Sequence, residues 1–471
     1  MFKWLGGANH AFSNPRRARE KLAGLPGDNA LKALEELSDW IESLTGLDLE
    51  ARADICKLFD EHSRPYRRKL WKDYLGADGA QRKRISFACH RFASLMGKAY
   101  FSCIKAYRSG EKGADEIKKE LPLLICRALH ALHSQYKWSH LHAGLIEPSL
   151  WKNLFWLFAF AEKTGIARIA LTLYPGQGYK TSILQEFLKT PVMAASSPDS
   201  LSSREFDMAN HMVALLSGHF ILESKPGAPD LTHYVDLSSS NPPARLKPSL
   251  GSETSLRFFG PGKACTFIAQ LPEAGLPEEI TLGGTYSEEE SRKVLKHLLI
   301  YWSEKPLSRK SERRRASLTF AVACRLDWSE TESWTSENIS EGGFDAVIQN
   351  PHPEWEKIGL LFFSKQGGSW DLCIIRRLSR DDLKRWHAGV EILAKAILPI
   401  EIGKDNSSIR IVLAHIEAGA MEAKILAEDK NFFPNSRYEI EFEGKKYALI
   451  PLERLEKGFD FRLWRCRLAD L

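Results

Sequence analysis

The segment most informative about the C-terminal half begins Arg309-Lys-Ser-Glu-Arg313-Arg-Arg315, continues through a candidate strand, and reaches Asn338-Ile-Ser340-Glu-Gly-Gly343. Residues 305–315 contain six basic side chains and one acidic side chain. Around this segment lie short runs rich in Val, Ile, Phe and Trp, at 316–328, 343–349, 358–363, 370–378 and 387–393. Turn residues separate the runs. Such short, turn-bounded runs predict a small antiparallel barrel or sandwich.

A second series of short runs follows towards the C-terminus, at 409–416, 421–427, 437–443, 446–452 and 459–467. In the third run, Tyr438, Ile440 and Phe442 alternate with glutamates. Side chains point to opposite faces of a strand in turn, so this alternation indicates a half-buried strand. We therefore expect a second β module over 404–471.

The N-terminal half has helical periodicity instead. Apolar side chains recur at steps of three and four residues, as in Leu31, Leu34, Leu37 and Ile41, which predicts an amphipathic helix. The fold class that we expect is multidomain α+β. Its parts are a helical domain (1–220), a small β-rich connector (221–285), a linking helix (286–306), the first barrel (307–403) and the C-terminal β module (404–471). Within the connector, 233–237, 255–259 and 265–271 resemble strands.

Composition narrows the class of protein. The chain has 471 residues with a net charge of +6, a mild excess that permits an anionic ligand without demanding nucleic acid. Eight cysteines are scattered without a C-x-x-C pair, which indicates reduced thiols and a cytoplasmic protein. We see no signal peptide and no apolar run of membrane-spanning length, so no membrane span is expected.

The two motifs around the first candidate strand resemble the signature of the PilZ family, R-x-x-x-R followed by one strand and then [D/N]-x-S-x-x-G. The resemblance extends over about 307–403 and includes Trp370-Asp-Leu-Cys-Ile-Ile-Arg-Arg377 and His387-Ala-Gly-Val-Glu-Ile-Leu393, which look like later strands of the family. It implies a bacterial receptor that binds cyclic di-GMP, often as an intercalated dimer. It also implies a ligand site at Arg309, Arg313, Arg314, Arg315, Asn338, Ser340 and Gly343.

These residue types suit such a ligand. Arginine forks bind phosphate oxygens bidentately and reach the O6/N7 edge of guanine. Asn338 and Ser340 stand at alternate positions and would point to one side of an extended segment. Gly343 would let the backbone approach the ligand or take a positive φ. Arg309 and Arg313 fit the spacing, but Arg314 and Arg315 lie closer to the strand, so the arginine pair stays open. Asn338 replaces the commoner Asp, which makes its hydrogen bond a neutral one.

Other candidate sites are weaker. His130 and His133 are spaced for zinc on a helix, and His140 and His142 follow, but no acidic or thiol ligand completes a known motif. Gly176-Gln-Gly-Tyr-Lys180-Thr-Ser182 lacks the register of a phosphate loop and is better explained as a turn that opens a helix. The basic and aromatic segment 64–72, which repeats the R-x-x-x-R spacing at Arg64 and Arg68, is explained by a helix with basic outer positions.

No grouping of catalytic residues stands out, so we expect a receptor or adaptor and no enzyme, no metal and no cofactor beyond the ligand. Cyclic di-GMP would bind the barrel, order the basic arm 305–315 and change interdomain geometry, while the helical domain binds a protein partner. Two alternatives remain open. The barrel acts as a scaffold without nucleotide, or the basic segments 64–72 and 305–315 bind RNA or DNA, which we consider the less favoured of the two.

Overall fold

The computed structural model describes residues 12, 15–143, 146–247, 253–273, 275–304, 314–323, 331–348, 361–365, 369–381, 385–395, 397–404, 407–417, 422–427, 432–442, 444–457 and 462–471. The chain divides into two compact units, one comprising 1–198 and 203–307 and the other 199–202 and 308–471. The first unit is mainly helical and the second is built of antiparallel sheets, so the predicted α+β class is confirmed.

The helices belong to the first unit. They are α1 (Pro15–Ala23), α2 (Ala30–Glu42), α3 (Leu49–Gly76), α4 (Gly79–Arg108), α5 (Ala114–Ile117), α6 (Leu121–Ala143), α7 (Pro148–Lys163), α8 (Ile183–Ala195), α9 (Ser203–Leu215), α10 (Lys263–Ala269), α11 (Glu278–Thr281) and α12 (Glu288–Trp302). In the part of the chain that the structure describes, no helix is both long enough and apolar enough to cross a bilayer.

Side-chain caps fix where the main helices begin. Asn29, Asp48 and Asp78 accept hydrogen bonds from the backbone N–H three residues on, at 3.0, 2.9 and 2.8 Å. These contacts satisfy donors that a helix leaves unpaired at its first turn. At α12, Ser287 and Glu290 form a reciprocal capping box. The caps therefore fix the first residues of α2, α3, α4 and α12.

The core of the helical unit is centred on α6, which packs against α4, α7 and α8. Leu124, Ile125 and Leu129 of α6 are fully buried. A buried carboxylate supplements this apolar core. Asp60 of α3, 4% exposed, accepts hydrogen bonds from the hydroxyls of Tyr100 (3.2 Å) and Tyr174 (3.0 Å). The network links α3, α4 and the segment after α7.

A four-stranded sheet follows the helices, in the order β1-β4-β2-β3. Its strands are β1 (Ile221–Glu223), β2 (His233–Asp236), β3 (Ala244–Arg245) and β4 (Leu256–Gly260). The expected strand at 265–271 is wrong, because α10 occupies most of it. Ala264 and Ile268 are buried, whereas Thr266 midway between them is exposed, which fits a helical turn and not a strand, in which all three would share one face.

The first barrel is formed by β5 (Arg314–Arg315), β6 (Thr319–Ala323), β7 (Glu332–Ser340), β8 (Gly343–Ile348), β9 (Leu361–Lys365), β10 (Trp370–Arg380) and β11 (Trp386–Ala394). The strand order is β5-β7-β6-β9-β10-β11-β8, and the pairing of β7 with β8 closes a ring of six strands. Trp334, Phe344 and Phe362 fill the interior.

Strand β7 was not among the predicted strands, because the sequence indicated a polar turn over these residues. Apart from Trp334 and Ile339 its side chains are polar, and Ser336 faces the interior at 2% exposure. The Ser336 hydroxyl donates to the Ala316 carbonyl (2.6 Å) and accepts from the Leu318 N–H (2.9 Å). Satisfied hydrogen bonds therefore let a polar strand lie in an apolar barrel.

The second barrel-like sheet has the order β12-β13-β14-β17-β16-β15, and β12 and β15 also come together at its ends. Its strands are β12 (Leu398–Lys404), β13 (Ser407–Glu417), β14 (Glu422–Ala427), β15 (Tyr438–Phe442), β16 (Lys445–Lys457) and β17 (Arg462–Asp470). The two sheets share an apolar cluster in which Phe363, Leu372 and Ile374 of the first pack with Val412 and Leu426 of the second.

Candidate functional site

The structure describes part of the predicted site. Arg309 and Arg313 lie outside the described residues. Arg314 and Arg315 form β5, in register with Ile339 and Asn338 of β7, and both arginines are exposed. The last two residues of the segment predicted as a basic arm therefore pair with the barrel strand β7, with Arg315 directly opposite Asn338.

A β-bulge decides where Asn338 points. Ser336 pairs with Ala346, but Asn338 pairs with Asp345, so Glu337 is an extra residue in β7. Without the bulge, Asn338 would share the inward face of Ser336, because alternate residues point the same way. Instead its amide donates from Nδ2 to Oδ2 of Asp345 at 2.9 Å. Asp345 neighbours the inward-facing Phe344 and Ala346, so this contact lies on the outer face.

A second bulge places Arg377 on the same outer face. Ile375 pairs with Val390 and Arg377 pairs with Gly389, so Arg376 is the extra residue of β10. Ile375 lies in the barrel core, and a regular strand would turn Arg377 inwards as well. In the structure its Nη2 lies 3.4 Å from Oδ1 of Asp345.

The two bulges complete one row of residues across five neighbouring strands. Arg315 is opposite Asn338, Asn338 is opposite Asp345, Asp345 is opposite Gly389, and Gly389 is opposite Arg377. We call this set the cross-strand row. At about 4.8 Å between strands, it extends roughly 19 Å along the sheet. It has an arginine at each end and hydrogen-bonding side chains between them.

Glycine at 389 keeps the centre of the row open. A Cβ there would lie 3.1 Å from Cβ of Arg377 and 3.4 Å from Oδ1 of Asp345. Gly343 has a different role. Its φ is not positive, and an added Cβ would lie 2.0 Å from the Val390 carbonyl oxygen. Gly343 therefore permits the close approach of β8 to β11.

Ser340 stabilises the turn between β7 and β8. Its hydroxyl donates to the carbonyl oxygen of Gly343 at 3.1 Å. A hydroxyl oxygen keeps acceptor capacity while it donates. Ser340 can thus hold the turn and still accept a hydrogen bond from a ligand at the end of β7.

Further charged groups surround the row. Nε of Arg376 donates to Glu391 at 2.6 Å. His387 lies 3.3 Å from Glu337 and 3.0 Å from Asp381. Hydrogen bonds from His387 and Arg385 hold the pKa of Asp381 well below its usual range. Asp345 is 8% exposed, so it is the buried anion between two more exposed groups, Asn338 and Arg377.

Sequence reasoning missed Asp345, Gly389 and Arg377 as site residues. A signal was present in the doublet Arg376-Arg377, which ends an apolar run. Strict alternation would put one of these two charges inside the barrel, at a large energetic cost. A bulge that turns both outwards removes the conflict.

Three histidines of α6, His130, His133 and His140, have separate structural partners. Nδ1 of His130 lies 3.5 Å from Glu186, His133 contacts Thr190 (3.1 Å) and Asn210 (2.7 Å), and His140 stacks on Phe206. Burial lowers the pKa of His133 to about 3. Among the described residues, no group of three or more His, Cys, Asp or Glu is arranged to hold a metal ion.

The other two weak candidates also have structural explanations. Ser182 caps α8 by accepting from the Gln185 N–H at 3.3 Å, so the glycine-containing segment before it is a turn that leads into a helix. Segment 64–72 lies within α3. Its basic positions are not all outward, because Arg67 pairs with the buried Asp60 at 3.1 Å, whereas Arg68 is exposed.

Comparison with known proteins indicates the class of protein that the chain resembles. Residues 16–228 match a family model, and the match supports a receptor of cyclic di-GMP. The family is described as cyclic-di-GMP receptor FimW, N-terminal domain. The matched residues cover α1 except for its first residue, α2 to α9 and β1, and they do not include the first barrel. No curated protein and no solved structure matches the chain.

Proposed function

We propose that the chain is a cyclic di-GMP receptor that holds its ligand on the outer face of the first barrel and binds a protein partner through its helical unit. The observation that carries the proposal is the cross-strand row, in which Arg315, Asn338, Asp345 and Arg377 lie in register on one face. The family match of residues 16–228 supports the ligand class independently.

The row offers complementary groups for both parts of a cyclic dinucleotide. Guanidinium forks at Arg315 and Arg377 suit phosphate oxygens or the O6/N7 edge of guanine. The N–H groups of guanine need acceptors, and a carboxylate accepts more strongly than an amide. Asp345, 2.9 Å from the Asn338 amide, supplies the negative charge that asparagine lacks at position 338.

The basic arm extends this site. Its C-terminal residues, Arg314 and Arg315, are fixed to β7 beside Asn338. Arg309 and Arg313 precede them in the chain and are proposed as further ligand contacts because they fit the R-x-x-x-R spacing. Binding would then order the arm and change the geometry between the barrel and the helical unit, which is an order-on-binding switch.

We assign no catalytic role to the chain. In the proposed function, the Asp60 network and His133 stabilise the helical unit, since their partners are groups of that unit. The helical unit would transmit the signal by binding a protein, and the C-terminal sheet would act as the structural companion of the first barrel through their shared apolar cluster.

Calorimetric titration of the full chain with cyclic di-GMP tests the proposal at two salt concentrations. We expect saturable binding that falls modestly with salt and is not displaced by RNA or DNA. Steep loss with salt together with displacement by nucleic acid would favour the nucleic-acid alternative, because many phosphate contacts release many counterions. No binding at all would favour a scaffold without nucleotide.

A further inference from the structure

A second concave surface lies on the helical unit, on the side of α4 that faces the start of α3 and the middle of α7. Its volume is about 940 Å³, against 470 Å³ for the pocket beside α1. Small-ligand sites commonly occupy about 300–1,000 Å³, so the surface is large enough for a ligand of nucleotide size. We call it the α4 groove, and its main residues are Arg52, Lys98, Phe101, Lys105, Arg108 and Trp156.

The charge of the α4 groove is strongly one-sided. Four cationic side chains line it, and Glu111 is the carboxylate among its lining residues. Glu111 lies 3.4 Å from Nη2 of Arg52. Within the described part of the chain, no carboxylate forms an ion pair with Lys98, Lys105 or Arg108. An anion entering the groove would therefore meet cations that are not already neutralised.

Arg52 forms the floor of the groove and is incompletely satisfied. The residue is 9% exposed, and its buried Nε has no hydrogen-bond partner among the described residues. A buried donor left without a partner is unfavourable, and more so when the group is charged. Because Nε itself is inaccessible, an anion in the groove would reach Arg52 through the part of its side chain that is exposed, which is 11%.

Aromatic rings hold two of the other cations in place. Nζ of Lys105 lies 4.6 Å from the ring centre of Phe101, and the guanidinium of Arg108 lies 5.4 Å from that of Trp156. The two rings pack edge to face at 5.0 Å. These cation–π contacts restrict the side chains before any ligand arrives, which lowers the entropic cost of binding.

We propose that the α4 groove binds a nucleotide, with its phosphates among Arg52, Lys98 and Lys105 and its base against the plane of Arg108 and the edge of Trp156. Clustered cations select the phosphates, and the planar guanidinium of Arg108 offers the flat surface on which a base can stack. All residues of the α4 groove belong to the helical unit, whereas the cross-strand row belongs to the other unit, so this inference goes beyond the proposed function.

Calorimetry on the full-length Arg377→Ala protein, in which the barrel site is weakened, tests the α4 groove with three probes. We expect GTP to bind with a Kd below about 1 mM, pyrophosphate to bind at least about tenfold more weakly, and guanosine not to bind. The charge reversals Lys105→Glu and Arg108→Glu in that background should abolish GTP binding. Both side chains are exposed, so the fold should survive, which circular dichroism checks.

Three results would overturn the assignment. The first is no GTP binding up to about 1 mM. The second is GTP binding that the two charge reversals leave unchanged, which would place the nucleotide elsewhere. The third is equal affinity for pyrophosphate and GTP, which would show an anion site that does not use the base. Failure of cyclic di-GMP to bind the wild-type barrel would refute the proposed function without affecting any of these outcomes.

Discussion

Replacement of Arg377 by alanine should weaken the binding of cyclic di-GMP and leave the fold intact. The Arg377 side chain is 47% exposed and contributes one 3.4 Å ion pair with Asp345, so little packing is lost. A charge-assisted hydrogen bond to a ligand is worth about 1.5–3 kcal/mol. At about 1.4 kcal/mol per decade, the Kd should rise roughly ten- to a hundredfold. The loss also leaves Asp345 without this cation, so its charge would repel a phosphate.

Isothermal titration calorimetry measures the change, with Arg465→Ala as the matched control. Arg465 is also an arginine on a barrel strand, its side chain is 45% exposed, and it pairs with Glu453 at 2.9 Å. It lies in the second sheet, so its removal should leave the Kd unchanged. Equal Kd values for wild type and Arg377→Ala, with both proteins folded, would refute the assignment of the cross-strand row as the ligand surface.

The remaining predictions concern the arm, the barrel backbone and pH. Arg313→Ala should raise the Kd for cyclic di-GMP roughly ten- to a hundredfold by calorimetry, and an unchanged Kd would exclude Arg313 from the site. Gly343→Ala should lower the free energy of unfolding by about 1–3 kcal/mol in urea titrations, because the added Cβ would lie 2.0 Å from a carbonyl oxygen. The control is Gly342→Ala, which should leave the free energy of unfolding unchanged because an added Cβ there has no atom within 4 Å. The pKa of His133 is lowered from 6.5 to about 3. Between these pH values the folded protein keeps His133 neutral, whereas the unfolded chain binds a proton there. The contribution of His133 to stability is therefore lost as pH falls from about 6.5 towards 3. His133→Gln should therefore flatten the fall of unfolding free energy by up to about 1.4 kcal/mol per pH unit, and an identical pH profile for wild type and variant would contradict this.

The sequence predicted those parts of the fold in which burial follows a simple period. Apolar side chains at three- and four-residue steps marked α2, whose Leu34, Leu37 and Ile41 are buried. Alternation marked β15, in which Tyr438 and Ile440 are buried. In both elements one face meets the core and the other does not, so periodicity alone reveals the structure.

The parts of the fold and of the site that the sequence did not predict depend on side-chain hydrogen bonds and on local irregularities of the strands. Strand β7 lacks an apolar pattern because Ser336 is buried through its hydrogen bonds. The cross-strand row depends on the bulges at Glu337 and Arg376. A bulge changes the facing of every later residue in its strand. Asn338 was thus identified by its motif, whereas Asp345 and Arg377 became candidates only once the strand register was known.

The apolar cluster shared by the two sheets limits how the chain can be dissected experimentally. Phe363, Leu372 and Ile374 are almost fully buried, yet they lie on the face of β9 and β10 opposite the core of the first barrel. A fragment that ends between β11 and β12 would expose these side chains to water as one continuous apolar patch. Such patches favour aggregation. Recombinant fragments for crystallisation or NMR should therefore retain both sheets, since the second sheet serves as the solubilising cover of the first.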